Sequence, residues 1–93
     1  MVVWVDQMFT TIPSKKWRYK TACHLFGTDL AELRPIALSI GLKPQWEQIA
    51  ANGVIHFDLT ASKRVLAIRK GAVSLKDGKE VVEAMKLACK ADF

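Results

Sequence analysis

Cysteine is scarce: Cys23 and Cys89 are the only two in 93 residues, and they stand in no CxxC spacing. A disulfide scaffold is excluded, and since each lies in an apolar pattern, two reduced core thiols are expected rather than a bridge. Long apolar runs are also missing. The opening stretch Met1 to Val5 is cut by Asp6, so it is too short for a signal-peptide core or a membrane span. A soluble, cytoplasmic chain with no membrane partner is the expectation. There is no internal repeat, no low-complexity tract, no HxH or HExxH spacing, and no GxSxG elbow around Ser62 or Ser74. Cys23 and His24 are adjacent, so on a strand they point to opposite faces and cannot form a Cys–His hydrolase pair. No catalytic nucleophile and no cofactor is assigned.

Acid is absent from residues 7 to 28, which carry Lys15, Lys16, Arg18 and Lys20. The whole chain has 14 Lys and Arg against 9 Asp and Glu, a net charge of +5. That balance permits an anionic partner without requiring one. With 51% apolar and 25% charged residues, the composition is globular rather than disordered. The length suits one compact domain, taken as residues 1–93.

The order of elements follows from local pattern. Val2 to Val5 suits a buried strand, ended at Asp6. Gln7 to Lys20 shows no sustained period and reads as a long loop, a length that is usually functional or mobile. Thr21 to Phe26 is strand-like and closed by Gly27. Asp29 with Glu32 forms a capping-box pattern ahead of Leu33, Ile36, Ala37 and Ile40, with Gly41 as the stop. Pro35 inside this helix removes one backbone bond and predicts a kink or an irregular turn. Pro44 to Ala51 reads as a short helix ended by Asn52-Gly53. Val54 to Leu59 is extended. Thr60 caps a helix with Ala61, Val65, Leu66 and Ile68 as its apolar face, ended by Gly71. Ala72 to Leu75 is a last short strand. Asp77 and Glu80 cap a final helix whose stripe is Val81, Val82, Met85, Ala88 and Cys89, opposite Lys79, Glu83, Lys86 and Lys90. Leu33, Ile36, Ile40, Val65, Ile68, Val81 and Met85 are the expected core, and Trp46 is not assigned a role. Strands alternating with helices predict an α/β fold: a small mixed or parallel sheet of three to four strands covered by three to four helices.

Trp4-Val5-Asp6, Cys23-His24-Leu25, Asp29-x-x-Glu32-Leu33, Ile40-Gly41-Leu42, His56-Phe57-Asp58-Leu59, Lys63-Arg64 and Gly71-Ala72-Val73 occur in this order. Together they resemble domain of unknown function 4031, a family of small bacterial and phage proteins. The similarity covers about residues 1 to 75. The resemblance implies a shared fold and candidate positions, not a reaction.

Asp6, His24, His56, Asp58 and Arg64 fall at strand ends or beside helix starts, where sheet proteins bind ligands, so they are expected to converge on one crevice. Three chemistries are open. A phosphate-containing, nucleotide-like small molecule would meet Arg64 and the helix start after Thr60, with Trp4 or Trp17 stacking on its base. A divalent metal would take His24, His56 and one or both aspartates, but no local spacing supports it and no metal ligand is assigned. Metal-free acid–base chemistry would use a histidine oriented by Asp6 or Asp58. Each residue also has a structural alternative: Asp6 as a loop cap, His24 as a satisfied core histidine, Asp58 as a cap at the helix start, Arg64 as its ion-pair partner.

The segment Lys15-Lys16-Trp17-Arg18-Tyr19-Lys20 interleaves cations with aromatic rings, the combination that neutralises phosphates and stacks on unpaired bases. It competes with a solvated loop anchored by Trp17. The leading expectation is the phosphate-ligand pocket of Asp6, Trp17, His24, His56, Asp58 and Arg64. Its rival is an interaction protein that binds a host protein or nucleic acid through the basic loop. A metal-dependent hydrolase is third.

Overall fold

The computed structural model describes residues 2–91, with side chains described through Ala88. The strands are β1 Val3–Val5, β2 Phe9–Thr10, β3 Thr21–Gly27, β4 Gln48–Ile49, β5 Ile55–Leu59 and β6 Val73–Ser74; the helices are α1 Leu30–Ser39, α2 Ala61–Arg69 and α3 Gly78–Ala91. They form a mixed α/β fold around one six-stranded sheet of order β4-β5-β3-β1-β6, with β2 also paired to β3. The sheet is therefore larger than the three to four strands expected, and mostly antiparallel. Among the described residues only β1 and β6 run parallel.

The missed strands β2 and β4 have two residues each, too few for alternation to register. β2 lies inside the stretch read as loop, and its pairing of Phe9 with Ala22 and Thr10 with Thr21 turns that stretch into a hairpin arm. The short helix expected over Pro44 to Ala51 is a single 3₁₀ turn, Pro44–Trp46. Asn52-Gly53 is a hairpin turn rather than a helix stop: Gly53 has φ +86° and its N–H donates to the Ala50 carbonyl at 2.9 Å. Gln48 and Ile49 then pair with His56 and Ile55, which is the better use of an NG dipeptide between extended runs.

The helix ends follow the sequence closely. Asp29 accepts from the Ala31 N–H at 2.7 Å and Thr60 from the Lys63 N–H at 3.3 Å. The Asp77 carboxylate accepts from the Glu80 N–H at 2.9 Å. Helix α1 passes through Pro35 without interruption; the proline and Ala31, whose carbonyl it cannot serve, are both exposed residues. Both α1 and α2 end in Schellman motifs, with Leu42 N–H on the Ala37 carbonyl and Ala72 N–H on the Ala67 carbonyl, each at 3.0 Å. Gly41 and Gly71 supply the positive φ these motifs need.

Alternation along β3 and β5 divides the core. Val3, Val5, Cys23, Leu25, Phe57 and Leu59 face α1 and α2, where Leu33, Ala37, Ile40 and Ala67 complete one cluster. Trp4, Phe26 and Val54 face α3, against Ala84 and Ala88, with Val81 and Met85 partly buried beside them. Val65 and Ile68, expected in the core, are exposed, as is Val82 of the expected apolar stripe. Helix α2 instead approaches the sheet through the small Ala67, with Lys63 and Arg64 half-buried. Lys63 Nζ donates to the Ile40 carbonyl at 2.5 Å, the end of α1. Short side chains and polar anchors thus set that contact, and the branched residues are left outside. The expectation for Cys89 lies outside the described side chains. No helix among the described residues is long and apolar enough to cross a membrane.

This division is testable by urea unfolding. Val65→Thr, at a half-exposed site, is expected to change stability by less than about 0.5 kcal/mol. Leu33→Ala, at a fully buried site in the same layer, is expected to cost about 2–5 kcal/mol.

Candidate metal centre in an open groove

The site begins with an irregularity in the sheet. Val5 pairs with Leu25 and Phe9 with Ala22, so Asp6, Gln7 and Met8 stand opposite only Cys23 and His24. One extra residue on the β1–β2 edge makes a bulge, which bends the strand and re-aims its side chains. At the bulge the Asp6 N–H donates to the His24 carbonyl at 3.2 Å. The return bond does not go to the backbone: the His24 N–H donates to Asp6 Oδ1 at 2.6 Å. Asp6 Oδ2 lies 2.7 Å from His24 Nδ1.

The Asp6 carboxylate thus holds both the main chain and the ring of His24. Its freed carbonyl accepts from Arg64 Nε at 2.9 Å, and Arg64 Nη2 donates to Ser74 Oγ at 2.6 Å. Arg64 therefore ties α2 to β1 and β6. It bonds neither Asp58 nor any residue lining the groove described below, so it does not occupy the ligand position expected of it.

His24 lies directly opposite Asp58, and Phe26 opposite His56. Residues 24, 56 and 58 share the sheet face that α3 partly covers, because period-two alternation puts His56 and Asp58 on one side of β5. The two imidazoles meet edge to face, with centroids 5.1 Å apart and planes at 89°. Nε2 of each histidine lies 3.9 Å from the same atom, Asp58 Oδ1. Asp58 Oδ2 accepts from Gln48 Nε2 at 2.7 Å, and His56 Nδ1 sits 3.2 Å from the Val54 carbonyl. That carbonyl can only accept, so the tautomer it favours in neutral His56 has the proton on Nδ1 and the lone pair on Nε2. Asp6 fixes the same tautomer in neutral His24.

Ligand atoms of His24, His56 and Asp58 all lie within 4.8 Å of one another. Two imidazole nitrogens and a carboxylate oxygen, with both remaining ring nitrogens held by acceptors, are a donor set for a borderline divalent ion. The bond to Asp6, set against partial burial and helped by the charges of Asp6 and Asp58, holds the His24 imidazolium to a higher pH than usual. Cys23, on the opposite face, is fully buried, and burial above all pushes its thiol up to about 12. It is an inert core residue, as adjacency to His24 on a strand required.

These groups floor a groove of about 300 Å³ walled by Phe9, Thr11, Ile12, Trp17, Ala22 and Gln48. Phe9 stacks against His24 with centroids 4.9 Å apart. The groove exists because α3 covers only one end of its sheet face: along β3, Ala22 and His24 line the opening and Phe26 lies under the helix. Among the expected site residues, Trp17, His24, His56 and Asp58 line this one space, Asp6 supports it from behind, and Arg64 stays outside. Trp4 packs on Phe26 in the core, with centroids 5.6 Å apart, and is not available to a ligand.

Phe9 and Gln48 were not expected here. Gln48 was assigned to a helix, and the signal for its true place was the Asn52-Gly53 hairpin turn beside the alternating strand of His56 and Asp58.

The family model described as "Protein of unknown function (DUF4031)" matches residues 3–88. No curated protein and no solved structure matches the chain.

The Asp6–His24 pair sets a pH dependence. His24 has its proton affinity raised above the ordinary value of 6.5, so the ion pair stabilises the fold fully below that pH and the gain is lost as pH rises through the folded value. Asp6→Asn keeps an acceptor for the His24 N–H and removes the charge. The stability gap between the parent chain and Asp6→Asn is expected to be widest near pH 6 and to narrow toward pH 9 in urea titrations. NMR of the His24 ring is expected to show a lower midpoint in the variant; an unchanged midpoint would contradict the pairing.

Proposed function

We propose, from the premise that the chain belongs to the DUF4031 family, that it is a divalent-metal protein whose metal binds the phosphate of a nucleotide-like ligand. The carrying observation is that Nε2 of His24 and Nε2 of His56 each lie 3.9 Å from Asp58 Oδ1, with both Nδ1 atoms already held. At metal–ligand distances of about 2.0–2.1 Å, tetrahedral ligand atoms sit about 3.3 Å apart, so each imidazole nitrogen must close on Asp58 Oδ1 by about 0.6 Å, and the whole set, now within 4.8 Å, by at most about 1.5 Å. Three protein ligands leave at least one open position for water or substrate oxygen. The mixed nitrogen and oxygen set favours zinc, iron, cobalt or manganese over calcium or magnesium.

The metal also answers a charge problem. Among the residues lining the groove there is no lysine and no arginine, and Asp58 adds a negative charge. Asp6 and Asp58 together outweigh the charge of a protonated His24, so a phosphate placed against that floor meets a net negative charge unless a cation comes with it. A divalent ion supplies the charge, polarises the phosphate oxygen and lowers the pKa of any water it holds. Phe9 and Trp17 offer ring faces to a base at the groove wall. Asp6 acts as the orienting partner of a metal-bound histidine, which raises the basicity of that ligand and fixes its tautomer. This reading retains the expected phosphate ligand, transfers its recognition from Arg64 to a metal, and suits a cytoplasmic location.

Calorimetric titration of the metal-free protein with zinc or cobalt tests the reading. One equivalent is expected to bind. His56→Ala is expected to weaken it by more than 100-fold, and Asp6→Asn by about 10–100-fold. With the site loaded, a nucleotide at 100 times its dissociation constant is expected to add about 2.7 kcal/mol of stability. Metal binding that survives unchanged in His56→Ala and Asp58→Ala would overturn the reading.

A further inference from the structure

The hairpin arm and the groove are one surface. The arm is held by the β2–β3 pairs, continued by the Thr11 N–H on the Lys20 carbonyl at 2.8 Å. At its tip the Ser14 N–H donates to the Trp17 carbonyl at 2.7 Å and the Trp17 N–H to Ser14 Oγ at 3.2 Å. Lys15 and Lys16 therefore sit at the corner of a formed turn. Trp17 Nε1 donates to the Thr21 carbonyl at 3.2 Å, which turns the ring back so that it lines the groove with the histidines. Tyr19 stands edge-on to Trp17 with centroids 5.2 Å apart, and Arg18 lies over the Tyr19 ring at 5.4 Å.

Lys15, Lys16, Arg18 and Lys20 are all exposed, and none of them forms an ion pair among the described residues. The groove is open rather than enclosed, and Ile12 at its rim is almost fully exposed. A site built for a lone mononucleotide has no use for an unpaired row of cations beyond its mouth. A chain of nucleotides does: one phosphate reaches the floor, neighbouring phosphates meet the arm, and unpaired bases stack on the rings between them.

We infer that the ligand of the groove is a single-stranded nucleic acid, which runs from the His24, His56 and Asp58 centre along the basic hairpin. This rests on the metal reading above for one phosphate only; the remaining contacts belong to the arm. The strand must be unpaired, because the stacking faces of Trp17 and Tyr19 can meet only bases that are not already stacked in a duplex. Both DNA and RNA present this chemistry. An acidic protein offers the charge without the flat bases, so the rings argue against it.

Fluorescence anisotropy with a labelled twelve-nucleotide strand, as oligo-dT and as oligo-rU, tests the inference on the zinc-loaded protein. Four phosphate contacts on the arm and one at the metal predict a log–log salt slope of about −3.5, and Lys15→Ala with Lys16→Ala is expected to remove about 1.4 of it. That double variant is expected to weaken binding by roughly an order of magnitude at 0.1 M salt. Trp17→Ala is expected to cost about 5- to 150-fold, and Trp17→Phe much less, since a ring remains to stack. Zinc affinity, measured by calorimetry, is expected to stay unchanged in the lysine variant.

A preference between the DNA and RNA strands identifies the source, and equal binding supports the shared chemistry. Zinc binding without any strand binding overturns this inference and leaves the metal reading standing. Strand binding that is equal with and without zinc, and unaffected by His56→Ala, removes the groove from the strand's path and overturns it as well. So does a duplex or a poly-glutamate peptide that binds as tightly as the single strand.

Discussion

The carboxylate of Asp6 is the constraint on which the rest of the site depends. It is the only buried charged side chain among the described residues, at 7% exposure. Burying a carboxylate is costly unless it is paired and hydrogen-bonded, and here it accepts from the His24 main chain and meets the His24 ring. Because a side chain takes the place of a carbonyl in the ladder, the strand bulges. Because the strand bulges, the Asp6 carbonyl is free for Arg64. Hydrogen bonds to charged groups contribute about 1.5–3 kcal/mol each, so this cluster is a large share of the stability of a small domain. It spans β1, β3, α2 and β6, and the orientation of His24 is fixed by the same bonds that hold these elements together.

The fold was legible where pattern runs long enough to be read. Asp29, Thr60 and Asp77 all cap helices, since capping needs only a short polar side chain before an apolar run. The two-residue strands β2 and β4 could not be read that way, and without them the sheet looked smaller and more parallel than it is. Val65 and Ile68 misled for a different reason. Helical spacing marks an apolar stripe, but which stripe faces inward depends on the partner, and the sheet beneath α2 admits Ala67 and anchors Arg64 through backbone and hydroxyl acceptors. A long cation at such a place looks like a ligand when only its sequence neighbours are known.

The meeting of His24 with His56 was the geometric expectation on which the site rested, and the rings do stand 5.1 Å apart. That spacing is a product of strand register: His24 opposite Asp58 places His56 on the diagonal, within reach of an aromatic side chain. A shift of one residue in either strand would send all three groups to the other face. The core composition of β3 and β5 guards against that shift, because Cys23, Leu25, Phe57 and Leu59 must face α1 and α2. Hydrophobic burial on one side of the sheet thereby places polar chemistry on the other, and the limited cover from α3 leaves it open to solvent.

X-ray absorption spectroscopy of the zinc-loaded protein tests this most directly, since it reports the atoms around the metal whatever the ligand proves to be. A shell containing two imidazole nitrogens and carboxylate oxygen at about 2.0–2.1 Å is the result expected from His24, His56 and Asp58. A shell of oxygen alone, or one in which sulfur from a cysteine replaces the imidazoles, would contradict it.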